Sequence, residues 1–171
     1  MSLVSHARQL VLVRIGSWTP IPAWQNRGLT LRVAVVHYDT DDSQAFGDVV
    51  RALAKGIERQ GHDVTVVDAK TEGGRSLTPF QYICIGVAAP SVLAKSVPPE
   101  LGGFLRSAGQ VSGKRSYAFV GKKGWRKGRV LASLMKTMEA EGMYLKRSDV
   151  LSQAAEAEAI GTRLHVEPHA G

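Results

Sequence analysis

A chain of 171 residues, 44% hydrophobic and 22% charged, has the size of one domain with a substantial core, and no apolar run in it approaches the ~20 residues of a membrane span. The lone cysteine, Cys84, excludes an internal disulfide and a cysteine-rich zinc site; set within Tyr82-Ile83-Cys84-Ile85, it reads as a buried, inert thiol. The net charge of +7 is unevenly placed: nine basic residues and no acid lie between Glu100 and Glu139, whereas Asp39, Asp41, Asp42 and Asp48 lie between Arg32 and Arg51 with no Lys or Arg among them. A soluble, cytoplasmic protein with one basic face is expected, and such a face attracts an acidic protein, nucleic acid or a phosphorylated ligand.

Residues 1–28 differ in pattern from the rest of the chain. They hold a short apolar run, Leu10-Val11-Leu12-Val13-Arg14-Ile15, and a proline-broken aromatic piece, Trp18-Thr19-Pro20-Ile21-Pro22-Ala23-Trp24. The run is too short, and too interrupted by Arg14, for a secretory signal. The chain therefore divides into an N-terminal extension over 1–28, a domain over 29–165 and a C-terminal tail over 166–171.

From Leu29 the pattern is regular. Residues 31–38, LRVAVVHY, form a β-branched run suited to a strand buried on both faces. After the acidic turn Asp39-Thr40-Asp41-Asp42-Ser43, the spacing of Phe46, Val49, Val50, Leu53, Ala54 and Ile57 predicts a helix over 44–59, ended by Gly61. Residues 63–68 and 81–87 are the second and third strands, with a loop around 71–75 between them. Pro98-Pro99-Glu100-Leu101 opens a helix through about residue 108, proline standing where its missing N–H costs nothing. The fourth strand covers 116–120, a helix runs to about 141 before Gly142, a weak fifth strand covers 143–146, and an alanine-rich helix covers 153–164. Such alternation predicts parallel strands joined by right-handed crossovers in a doubly wound sheet.

Between the fourth strand and its helix lies Gly121-Lys122-Lys123-Gly124-Trp125-Arg126-Lys127-Gly128, glycine-rich and strongly basic. Together with Gly61-His62-Asp63-Val64-Thr65-Val66-Val67-Asp68 and the Pro98-Pro99-Glu100-Leu101 helix start, this loop resembles the flavodoxin-like family over residues 29–164, roughly four-fifths of the chain. The resemblance implies a five-stranded parallel sheet of order 2-1-3-4-5. It also implies flavin mononucleotide (FMN) held by three loops at the topological switch point, and electron transfer with a redox partner.

In that family the first loop wraps the FMN phosphate with amides and hydroxyls at a helix N-terminus. The matching residues are Asp39 to Phe46, about two longer than the family loop and without glycine; Thr40, Ser43 and Gln44 are the binding candidates. Asp39, Asp41 and Asp42 oppose a dianion, since a like charge within ~4 Å costs about 4 kcal/mol at an effective dielectric of 20. A role for Ser43 or one of these Asp residues as a helix cap competes with phosphate binding. The second loop, with Ala88, Ala89 and Pro90, offers room for a ring but no aromatic to stack on it. The third loop matches best: Gly121, Lys122, Lys123, Gly124 and Trp125 are the candidates, Trp125 to cover the flavin and the lysines to favour its anionic reduced form. The acidic first loop and basic third loop are further expected to approach each other and form ion pairs. A protein of this kind keeps the fold without the redox function, and its basic loop face then serves an acidic partner or, less favoured, nucleic acid.

Other chemistry falls away. Gly109-Gln110-Val111-Ser112-Gly113-Lys114-Arg115 is one residue short of a phosphate-binding P-loop and precedes a strand. His165 and His169 have metal-like spacing but no third ligand close in sequence, so they read as a surface tail, while His37 ends the first strand beside the site and is structural or titrates near pH 7. No Ser–His–Asp or Cys–His context stands out.

Overall fold

A computed structural model describes residues 29–88, 95–121 and 126–168. The extension over 1–28 and the site candidates Ala89, Pro90, Lys122, Lys123, Gly124 and Trp125, with His169, lie outside the described residues. The elements are β1 (Arg32–Tyr38), α1 (Gln44–Glu58), β2 (Asp63–Asp68), β3 (Tyr82–Val87), α2 (Pro99–Ser107), β4 (Arg115–Gly121), α3 (Lys127–Ala140), β5 (Tyr144–Leu151) and α4 (Ala154–Arg163). The strands form one sheet in the order β2-β1-β3-β4-β5, parallel throughout, as the motif order implied.

The three central strands are buried at nearly every position because both of their faces are covered. Val33 and Val35 of β1 point toward α1 and α4, joining Phe46, Leu53, Ile57 and Ala157; Ala34 and Val36 point the other way, toward Leu101 and Phe104 of α2 and Leu134 and Met138 of α3. Cys84 is buried between β1 and β4, and burial pushes its thiol pKa well up, so the inert reading holds.

The fifth strand is longer than the apolar pattern showed, eight residues in place of four. It is an edge strand carrying Lys146, Arg147 and Asp149, and a register shift opposite Ser116 and Tyr117 breaks its alternation. Edge strands are polar for a reason, since charge discourages pairing with a further strand.

The connection from β2 to β3 spans residues 69–81 without a helix. Leu77 and Phe80 cover that part of the sheet, and the ammonium of Lys114 donates to the carbonyls of Leu77, Thr78 and Phe80 at 2.8, 2.7 and 2.7 Å. Lys114 thus stabilises carbonyls that a helix would have bonded internally. Arg115 pairs with Glu167. Two of the nine clustered basic residues are therefore structural and do not belong to an open basic face.

On the other side α1 and α4 cross at Gly56 and Gly161. A Cβ at Gly56 would lie 2.8 Å from the Gly161 Cα and closer still to the Glu158 carbonyl oxygen, and one at Gly161 would lie 3.0 Å from the Gly56 Cα. These obstacles are backbone and cannot rotate away. Gly56→Ala is expected to cost about 1–3 kcal/mol, lowering the melting temperature by several degrees, whereas Gly73→Ala, which meets only open space, changes stability by less than about 0.5 kcal/mol; thermal denaturation of both variants checks the difference.

Candidate functional site

Parallel strands bring the ends of β1, β3, β4 and β5 to one edge of the sheet, where loops from both helical layers converge. Ser43, Ala88 and Gly121 meet there, around a cavity of about 120 Å³ that Phe46 and Leu151 also line. Three candidates from three separate loops are thus brought together. Thr40 and Gln44 do not line this cavity.

The first loop is organised from within. Asp39 is only 6% exposed. Its Oδ1 accepts the Asp41 N–H at 3.0 Å and its Oδ2 accepts the Ser43 N–H at 2.7 Å. Ser43 stands at the N-cap of α1, but its hydroxyl makes no cap hydrogen bond; its carbonyl instead accepts the N–H groups of Phe46 and Gly47, both at 3.0 Å. The capping role expected of Ser43 is therefore absent from its side chain. Asp39 satisfies loop amides one turn earlier, a role its sequence position did not reveal.

Asp42 takes the left-handed backbone conformation, with φ of 47°, that glycine adopts more readily; its carboxylate binds the Lys70 ammonium at 2.8 and 3.0 Å. Lys70 follows β2, so Asp42 pairs with the neighbouring strand end; Lys122 and Lys123 of the third loop, and with them the ion pairs expected there, lie outside the described residues. At this exposure the pair adds little stability.

Gly121 has a structural duty as well as a place at the site. A Cβ there would come within 2.9 Å of Phe46 Cδ2, so the absence of a side chain lets the Phe46 ring lie over the end of β4. Phe46, Phe119 and Tyr117 form a column with centroid spacings of 6.0 and 5.7 Å, and Gly86 leaves the space that the Phe119 ring fills. Helical spacing marks Phe46 only as a core position, and its role as a wall of the site depends on the loop bringing α1 across β4.

These residues do not fit the phosphate of FMN in the manner of the family. Two loop amides that would face such a group already hold a buried carboxylate. A dianion at the same place would meet Asp39 at close range in a partly desolvated setting.

Behind the loop lies a second cavity of about 200 Å³, bounded by His37, Asp39, Gln44, Gly47, Arg51 and Asp68. The buried Nδ1 of His37 has no hydrogen-bond partner among the described residues. Burial lowers the His37 pKa, even though the carboxylates of Asp68, Asp39 and Glu72 act to raise it; Arg51 also lowers it.

Among the described residues no helix is long and apolar enough to cross a membrane, and no group of side chains is suited to a metal ion. Neither protein-family profiles nor curated proteins give a sequence match. Solved structures do match in shape. Flavodoxin 1 from Bacillus cereus superposes with a TM-score of 0.61 at 13% identity, over 79% of this chain and 99% of its own. A WrbA-like flavodoxin from Agrobacterium tumefaciens gives 0.60 at 14%, over 79% and 95%. The Flv1 flavodiiron core from Synechocystis gives 0.54 at 19%, over 81% of this chain and 35% of its own. An open, doubly wound sheet with helices on both faces is thus the class to which the protein belongs. Within that class it has the flavodoxin-like fold.

The depressed pKa of His37 gives a pH dependence of definite sign. The unfolded chain takes up a proton on this histidine as the pH falls below about 6.5, while the folded protein resists doing so, and stability drops across that range and is flat above it. His62, also lowered by burial, acts in the same direction. Urea midpoints measured from pH 5 to 8 should show a shallower decline in His37→Gln than in the parent, and parallel curves would remove His37 as a cause.

Proposed function

We propose that this chain is a flavodoxin-fold binding module that works without FMN and engages an acidic protein partner through its basic face. The observation that carries the first half is the Asp39 carboxylate, bound to the Asp41 and Ser43 amides in the loop where the family places a phosphate. A tethered anion competes at very high effective concentration with any phosphate in solution, and it adds like-charge repulsion. Support for the second half comes from charge. Lys95, Lys127, Arg129 and Lys136 take part in no ion pair among the described residues, while acids elsewhere pair locally, Glu141 with Arg106 and Asp149 with Arg147.

The other reading is FMN binding with electron transfer. It is supported by the fold and by flavodoxins being among the structures that resemble the chain, and it requires the first loop to give up Asp39 and rearrange.

The absorbance spectrum of the purified protein separates the two. A colourless protein that leaves the fluorescence of added FMN undiminished is expected; flavin bands or quenching would establish the redox reading instead. Asp39→Ser, which frees both amides and removes the charge, is expected to raise FMN affinity over the parent by at least about tenfold in the same titration.

A further inference from the structure

The basic residues of α3 are arranged around a feature that neither the third loop nor the sheet edge explains. Arg129, Ser133 and Lys136 stand at i, i+4 and i+7, one stripe of the helix, and Lys95 faces them from the segment that leads into α2. Between them runs an open groove of about 370 Å³ whose remaining wall is Ala132. The segment is tied to the helix by the Val97 N–H, which donates to Ser133 Oγ at 3.2 Å. No carboxylate lines the groove among the described residues. The first turn of α3 also contains no acid to offset its helix dipole, so Lys127 and Arg129 add to a positive end.

We infer that this groove docks an acidic segment of a partner protein, with carboxylates on Arg129, Lys136 and Lys95. The inference rests on the binding-module reading and locates its surface. Seven helical residues separate the two α3 cations by roughly 10.5 Å along the axis, and same-face positions of an extended peptide lie ~7 Å (i, i+2) or ~13 Å (i, i+4) apart, a mismatch that the long Arg and Lys side chains span. Two acidic side chains on one face of the segment therefore reach both cations together, while Lys95 takes a carboxylate from the opposite wall. Nucleic acid fits less well. Sequence-independent binding of a single strand relies on exposed aromatic rings beside the cations, and among the described residues the exposed aromatic is Tyr144, at the amino end of β5 with Lys146 over its ring at 5.2 Å. Tyr117 and Phe119 are buried. The cations are accessible to solvent, so the interaction is expected to be weak individually, additive over the groove and steeply dependent on salt.

The full chain is titrated with a fluorescent polyglutamate peptide and, separately, with single-stranded polythymidylate, both at low and at raised salt, reading anisotropy. Binding of polyglutamate that weakens about tenfold in Arg129→Glu/Lys136→Glu, and less than twofold in Arg163→Glu on the opposite helical layer, is the expected result. Lys95→Glu should weaken it to an intermediate degree. Circular dichroism and melting curves confirm that each variant is folded. An equal loss in Arg163→Glu, or no loss in the double variant, would overturn the groove while leaving an acid-binding module in place. Tighter binding of polythymidylate than of polyglutamate would assign the face to nucleic acid and overturn the inference. An absence of binding to either polymer would overturn the docking half of the proposed function together with the groove, and the flavin titration would still decide the other half.

Discussion

Because β1, β3 and β4 are buried at nearly every position, each face of the sheet needs its own helical layer before the strands can leave water, and every other packing choice is subordinate to that burial. One layer comes from α1 and α4, the other from α2 and α3, and the β2–β3 connection completes the second with Leu77 and Phe80 in place of a helix. Removing a helix from a crossover leaves backbone carbonyls without internal partners. The inward Lys114 supplies three donors there, which also explains why a lysine next to a buried strand is compatible with the fold.

The two-layer requirement also shapes the candidate site. The close crossing at Gly56 and Gly161 brings α1 tight against α4, and from that position Phe46 lies over Gly121 and against Phe119. The wall of the cavity at the sheet edge is therefore an extension of the core. Asp39 performs a similar service for the loop, whose amides need an acceptor once the chain turns sharply from β1 into α1. A loop that satisfies itself in this way does not depend on a bound phosphate for its shape.

Charge is distributed between structural and surface duties in a way that a count along the chain does not show. Lys114 and Arg115 are committed to carbonyls and to Glu167, and Arg106 to Glu141, whereas Arg129, Lys136 and Lys95 converge on one groove from two segments about thirty-five residues apart in the chain. The net charge of the segment was legible, and its division between inside and outside was not, because a lysine's direction depends on which acceptors the fold brings within reach.

The elements could be read from local signals: period-2 and period-3.6 apolar patterns, glycines after helices and proline at a helix start sufficed for nearly every one and for the parallel arrangement, while the strand order followed from the resemblance to flavodoxin-like proteins. The amino acids of the first loop likewise showed its acidic character, since three Asp residues and no glycine stand there. How those carboxylates are used emerged only on folding. Asp39 turns inward onto two amides while Asp42 turns outward onto Lys70 beyond β2, and the length of β5 was settled by pairing with β4 where its own alternation is broken. A side chain's partner across space is a matter of loop path and register, and neither is encoded in the neighbours of that side chain along the chain.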